Sequence, residues 1–313
     1  MIAPAACEHA NYKKSGKNRN GTQRYKCKDC GVRFSDEKPL GRMQISMDSA
    51  SLALSLLLEG MSIRAASRIS GIHRDTIGDL ILVAGEKFQA FTDRSIVNVT
   101  VNDVQIDELW SFVGCKSKTA EARGYDDLGD SWTFIAIERD TKLIIAHHVG
   151  NRNTAHTDQF LAKVRRAVND DNRYQVTTDG MGSYRYSVPF GLGSNIDFAQ
   201  LIKKYAASQT ETRYSPATIV SADKVPRFGN PDESRVCTSH VERANLTVRM
   251  QLRRFTRLTN GFSKCHDHHE AMQSIFFAHY NFCRNHMTLK ATPAMASGLA
   301  SRPLTIREIL EAV

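Results

Sequence analysis

The chain has 313 residues, 41% of them apolar and 24% charged, enough for one large domain plus smaller ones, each with its own core. Its net charge of +9 points to a polyanionic partner. No run nears the roughly 18 apolar residues of a membrane helix, and MIAPAACEHANYKK lacks the apolar core of a signal peptide. Seven cysteines without a disulfide-like spacing fit a reducing compartment, so the expected location is the cytoplasm.

The charge is unevenly placed. Residues 1–42 hold ten Lys/Arg against four Asp/Glu, and residues 203–264 hold twelve against five, which leaves the rest net negative. Two separate basic regions fit a nucleic acid touched at two places. Taken singly, each could equally be a solvated basic face.

Residues 1–40 are polar and contain CKDCG, a knuckle able to clamp zinc between thiolates. The upstream partners are Cys7 and His9, giving a candidate zinc set of Cys7, His9, Cys27 and Cys30. The alternative is a metal-free turn. KKSGKNRNGTQRYKCK is too polar for a core, so metal is the expected organiser of this segment.

Residues 41–95 read as helical. One helix starts at Asp48 or Ser49 and stops at Gly60; Ser62 opens SIRAASRIS, Gly71 turns the chain, and HRDTIGDLILVAGEKF forms a further helix. Helix, glycine turn and helix outline a helix-turn-helix. In a DNA reader, Arg64, Arg68, His73, Arg74 and Thr76 would lie nearest the duplex.

Residues 96–290 mix strands and helices. VQIDELWSFVG alternates as a strand, and SWTFIAIERDTKLIIAHHVG reads as a hairpin. TAHTDQFLAKVRRAVND is an amphipathic helix; YQVTTDG and IDFAQLIKKY read as strands. A basic insertion at about 205–237 follows, and residues 291–313 form a C-terminal tail. The expected fold class is therefore α+β and multidomain: a zinc-ribbon-like segment, a helix-turn-helix domain and a ribonuclease-H-like mixed α/β domain.

SHVERANLTVRMQLRRFTRL, Ser239 to Leu258, carries an apolar stripe of Val241, Ala244, Val248, Leu252 and Phe255. Ser239 reads as its N-cap, with Glu242 completing a capping box. Glu242, Arg249 and Arg253 share a face of this helix, which suits Arg249 and Arg253 to flanking DNA phosphates. In a ribonuclease-H-like strand order, Asp107 in the first strand, Asp179 after the fourth and Glu242 on the returning helix converge. Three carboxylates at one strand edge need cations, and oxygen-only ligands suit magnesium or manganese, with two ions serving phosphoryl transfer. Strand alternation puts Asp107 and Glu108 on opposite faces, so Asp107 alone is expected in the site. In CHDHHEAM and the run after it, the apolar pattern reads as core rather than as a second metal centre.

QIDELWSFVGCK, VTTDGMGSY, RYSPA, TSHVERANLTVRMQLRRFTRLTNGFSK and YNFCRNHMTLKATPAMA, in that order over nearly the whole chain, resemble the DDE transposases of the insertion-sequence-one family. The resemblance implies a DNA transposase whose ribbon and helix-turn-helix bind terminal inverted repeats. Its ribonuclease-H-like domain would cut and join double-stranded DNA as a homodimer or larger assembly. It places the catalytic residues on Asp107, Asp179 and Glu242, and it implies a protein associated with the nucleoid. Ribbons of the family carry two Cys-x-x-Cys knuckles, and here Cys7 stands alone in the first. Two other functions fit the same motifs: a DNA-binding regulator with an inactive third domain, and a nuclease that cuts without joining.

Overall fold

The computed structural model describes residues 10–17, 23–35, 39–169, 171–205, 219–256 and 259–313. Cys7, His9 and the middle of the basic insertion lie outside these residues. The chain divides into two compact units, Met1–Gln44 and Ile45–Val313.

In the first unit β1 (Tyr12–Lys17), β2 (Gln23–Cys27) and β3 (Arg33–Ser35) form an antiparallel sheet. Tyr12, Tyr25 and Phe34 meet on it, with ring centroids 5.0 to 5.6 Å apart. Tyr25 and Phe34 are half-buried in this cluster and Tyr12 is exposed, so the rings brace the strands without making a buried core. The knuckle follows β2. Cys27 N–H donates to the Val32 carbonyl at 2.9 Å, Gly31 N–H returns to the Cys27 carbonyl at 3.2 Å, and Gly31 takes φ of 75°. Only glycine holds that conformation without strain.

The second unit opens with α1 (Met47–Leu58), α2 (Ile63–Ser70) and α3 (Arg74–Ser95). Ser46 and Ser62 cap the first two through their side chains, and Gly71, left-handed at φ 73°, ends α2. The mixed α/β body follows: β4 (Asp103–Val113), α4 (Ser117–Arg123), β5 (Gly129–Glu138), β6 (Ile144–Gly150), α5 (Thr154–Ala167), β7 (Tyr174–Thr178), α6 (Tyr184–Leu192), β8 (Ile196–Tyr205), β9 (Ile219–Phe228), α7 (Ser239–Gln251) and α8 (His266–Phe282). The short α9 (Pro293–Ala296) and α10 (Ile306–Glu311) close the chain.

The six strands run in the order β6-β5-β4-β7-β8-β9. Pairing is antiparallel for β6-β5-β4 and β8-β9, and parallel for β4-β7-β8. Alternation sorts the faces. Gln105, Asp107, Ser111 and Thr133 meet residues of or beside α7 and α8. Glu108 meets Tyr184 of α6, and Phe134 meets Phe160 of α5 at 5.6 Å between rings. Helices thus cover both faces.

His269 is wholly buried between Ser111 at 3.0 Å and Ser263 at 2.8 Å, so it belongs to the core, as its apolar run implied. Helix α8 is buried nearly all round because α3 packs along its other side. That contact depends on Gly85, where an added Cβ would stand 2.4 Å from Ala271 Cβ. Gly85→Ala is expected to cost about 1–3 kcal/mol by forcing the two helices apart, despite alanine's better helix propensity. Chemical denaturation measures it, and an unchanged midpoint would show that the contact relaxes freely.

The part of the basic insertion that is described includes β9, which adds a sixth strand to the sheet. Pro226 fits there because β9 is an edge strand, where a missing N–H is tolerated. Among the described residues no helix is long and apolar enough to cross a membrane.

Candidate active site

Strand β4 pairs with β5 along ten residues but with β7 only from Asp103 to Ile106. The parallel pairing stops at Ile106 opposite Thr178. Asp107 and Glu108 are therefore the first residues of β4 beyond it, and Asp179 is the first residue past β7. The notch left at this strand end collects carboxylates: one oxygen each from Asp107, Glu108 and Asp179 lie within 4.8 Å of one another.

This corrects the expectation that only Asp107 can reach the site. Alternation does send the two side chains to opposite faces. With β7 ended on that side of β4, both still reach round to Asp179.

Each carboxylate is held by particular partners. Asp107 Oδ2 accepts from Asn245 Nδ2 of α7 at 2.8 Å. Asp179 Oδ1 accepts from Met181 N–H at 2.9 Å, and Gln200 Nε2 of β8 donates to the Asp179 and Met181 carbonyls at 2.9 and 3.1 Å. Arg227 of β9 in turn donates to Gln200 Oε1 at 2.8 Å, so the edge strand braces the turn that carries Asp179. Glu108 has both oxygens engaged, Oε1 by the Tyr184 hydroxyl and Oε2 by Arg152 Nε at 3.1 Å. Arg152 also reaches Asp179 Oδ2 at 3.4 Å and lies over the Trp132 ring at 4.9 Å.

The concentration of negative charge has a cost. Burial first, then the charge of Asp179, pushes the Asp107 carboxyl up to about 7. The same two causes push Glu108 up to about 8, against the opposing pull of Tyr184 and Arg152. Burial holds the Tyr184 hydroxyl well above its usual range, so it stays protonated and donates to Glu108.

Glu242 sits on the first turns of α7, three residues before Asn245, and its charge contributes to the rise at Asp107. Its side chain is 47% exposed, pairs with Lys203 of β8, and accepts from Thr238 Oγ1 at 2.6 Å. It is thus beside the three-carboxylate notch rather than inside it. Two details of this helix differ from expectation. Thr238 is the N-cap, with no side-chain cap bond, so the Ser239–Glu242 capping box is absent. The helix ends at Gln251, and Arg253–Phe255 form a 3-10 turn, so Arg253 does not share a helical face with Glu242 and Arg249. The apolar stripe survives the break, because all five of its residues are buried.

The remaining expected site residues lie elsewhere. Arg64, Arg68, His73 and Arg74 are exposed on α2 and the start of α3, with Thr76 half-buried beside them. Asp75 offsets part of that charge, since Arg74 Nε is 3.3 Å from it. Arg249 is on the last turn of α7. Cys27 is buried and Cys30 exposed in the first unit.

Sequence reasoning missed Arg152, Tyr184, Lys203 and Asn245, and discounted Glu108. Asn245 had a signal, its helical spacing of three from Glu242. Arg152 and Lys203 had none, being surface-type residues next to a hairpin and within an ordinary strand.

The donor set fits a hard divalent cation. It is all oxygen, its mutual repulsion is relieved by positive charge, and Asn245 Oδ1 is buried beside it without a hydrogen-bond partner among the described residues. No known family matches the sequence, and no curated protein matches it. Among solved structures, the chain is similar to one described as a cryo-EM structure of piggyBac transposase in a synaptic complex with hairpin DNA. The identity is 11% over 85% of this chain and 69% of that one, with a TM-score of 0.35. So loose a superposition does not define a shared fold.

Proposed function

We propose that the chain is a DDE-type DNA transposase, related to the insertion-sequence-one family, that cuts and joins phosphodiester bonds at the carboxylate notch. The observation that carries this reading is the gathering of Asp107, Glu108 and Asp179 oxygens within 4.8 Å at the end of two parallel strands, with Glu242 alongside. The strand order supports it: β6-β5-β4-β7-β8, antiparallel on one side of β4 and parallel on the other, follows a ribonuclease-H-like arrangement, and β9 extends its edge.

In this reading Asp107, Asp179 and Glu242 would hold magnesium or manganese. Such ions, when bound, would supply the positive charge that phosphoryl transfer calls for. Asn245 fixes the orientation of Asp107. Glu108, its oxygens committed to Tyr184 and Arg152, supports the site from the opposite face of the sheet and aims Arg152 at Asp179. Lys203 gives Glu242 a counter-charge, and on DNA binding it is placed to meet a backbone phosphate next to the scissile one. The protein supplies position and charge, which is what phosphoryl transfer asks of it.

Residues 1–40 act as the ribbon, 41–95 as the helix-turn-helix, 96–290 as the catalytic domain and 291–313 as a tail. Zinc on Cys27 and Cys30, with Cys7 and His9, belongs to this reading. So do terminal inverted repeats as the bound DNA, and a dimer or larger assembly that brings two DNA ends together.

A labelled duplex carrying the element's end, incubated with supercoiled plasmid and manganese, is expected to yield joined products that chelator abolishes. Binding without cleavage would replace this reading with the regulator. Nicking without joining would replace it with the nuclease.

A further inference from the structure

Some distance from the carboxylate notch, the second unit contains a cleft of about 830 Å³ between the α1–α2 turn and the chain from Leu252 to Met272. Its lining includes Ser62, Arg64, Arg253, Arg254, Lys264 and His268, with no aspartate or glutamate among the described residues. Concave surfaces lined by one sign of charge focus the field and favour a counter-charged ligand.

Among the described residues Arg64, Arg253, Arg254 and Lys264 form no ion pair, whereas His268 feels the charges of Asp267 and Asp79, neither of which lines the cleft. Arg254 is half-buried, and its hydrogen bond goes to the neutral Ser263 hydroxyl at 3.2 Å. Burial pushes its guanidinium down to about 10, so it still carries its charge at neutral pH. Lys264 Nζ lies over the Phe262 ring, 3.0 Å from the centroid. His268 Nδ1 is buried and has no hydrogen-bond partner among the described residues. A charged arginine kept out of water beside a hydroxyl, with an orphaned ring nitrogen near it, is a costly arrangement unless an anion completes it.

Two helices add to the positive field by starting at this cleft. Ser62 caps α2, and Cys265 caps α8 without any side-chain bond to its first N–H groups. Helix starts favour anions, and an uncapped one leaves donors to be satisfied. Asp267 in the first turn of α8 lies outside the cleft lining.

The cleft is also tied to the catalytic side. Helix α7 carries Glu242 near its start and ends where Leu252 to Arg254 line the cleft. From Glu242 to Leu252 the rise is about 15 Å. That is the rise of about four base pairs of duplex DNA, at about 3.4 Å each.

We infer that this cleft is a phosphate-backbone clamp, in which Arg64, Arg253, Arg254 and Lys264 grip a DNA strand whose reacting phosphate lies at the carboxylate notch. The inference rests on the reading of the chain as a DNA-acting enzyme. It joins Arg64 and Arg253, distant in sequence, in one site with Arg254 and Lys264.

Salt dependence tests it. Affinity for a labelled duplex of arbitrary sequence is measured from about 50 to about 200 mM salt. The measurement uses the wild type, the pair Arg64→Gln/Lys264→Gln, and the charge-preserving pair Arg64→Lys/Lys264→Arg. The glutamine pair should flatten the slope of log affinity against log salt by about 1.8, or about 0.9 per lost phosphate contact, while the charge-preserving pair keeps the wild-type slope. An unchanged slope in the glutamine pair overturns the clamp and leaves the DNA reading standing. An equal loss in both pairs assigns the effect to structure and also overturns it. Wild-type protein that shows no salt-dependent binding overturns the DNA reading together with the clamp.

Discussion

Asp179→Asn is expected to abolish metal-dependent DNA joining while raising the melting temperature of the metal-free protein. Asparagine keeps an acceptor for Met181 N–H, so the turn after β7 survives. It removes the charge that helps push up both Asp107 and Glu108, so the fold is relieved of repulsion. The same charge is what a divalent ion needs. Losing a ligand that stabilises the transition state by several kcal/mol lowers the rate roughly 10³-fold or more. Gain of stability with loss of activity is the signature of a functional group, and it separates this substitution from one that merely misfolds. Asp107→Asn should behave alike. Activity within tenfold of wild type in both would place the chemistry elsewhere.

Stability of the metal-free protein should fall as pH rises from about 6.5 to about 8. Below that range His147, His148, His269 and His279, all pushed down by burial, act in the opposite sense. The Asp107 and Glu108 carboxyls are pushed up to about 7 and about 8, above the ordinary values they have in the unfolded chain. At these two groups the folded state binds more protons than the unfolded one, so raising the pH past the histidine range favours unfolding. The stabilising protons are fully present below about 4 and are lost once the pH passes the folded values. A rise of this size at Asp107 alone is worth a few kcal/mol. At roughly 2–4 °C per kcal/mol, a fall of about 5 °C or more in melting temperature is expected from these groups. Magnesium or manganese should restore most of it at pH 8 and little at pH 5, because a cation held by Asp107 competes with its proton and its charge opposes protonation of the adjacent Glu108. A melting temperature that metal raises equally at both pH values would show that these carboxyls are not where the ion binds.

The carboxylates of the notch were legible because strands announce their alternation and the residues sit at strand ends. Asp107 and Asp179 could be chosen from element order alone; Glu242, chosen with them, stands beside the notch rather than inside it. The role of Glu108 was hidden, since it depends on where the β4-β7 pairing stops, at Ile106 opposite Thr178. That limit is set by the length of β7, a tertiary fact that no local pattern in β4 records.

The break of α7 at Leu252 was hidden for a different reason. Leu252 and Phe255 are both buried, so the apolar period runs on through a change of helix type. Strand β9 gave no signal, as its residues are exposed on both faces and Pro226 argues against a strand unless it lies at an edge. In the first unit, three aromatics scattered over a polar segment meet only once the strands pair in register, Tyr25 opposite Phe34 and Tyr12 opposite Cys27.

The measurement closest to the central claim is a calorimetric titration of manganese into wild-type protein and into Asp179→Asn at pH 8. Saturable binding to the wild type, with protons released as the ion's charge opposes protonation of Asp107 and of the adjacent Glu108, is the predicted result, and its loss in Asp179→Asn completes it. Binding of equal strength in both proteins, or none in the wild type, would contradict the assignment of the notch as a metal centre.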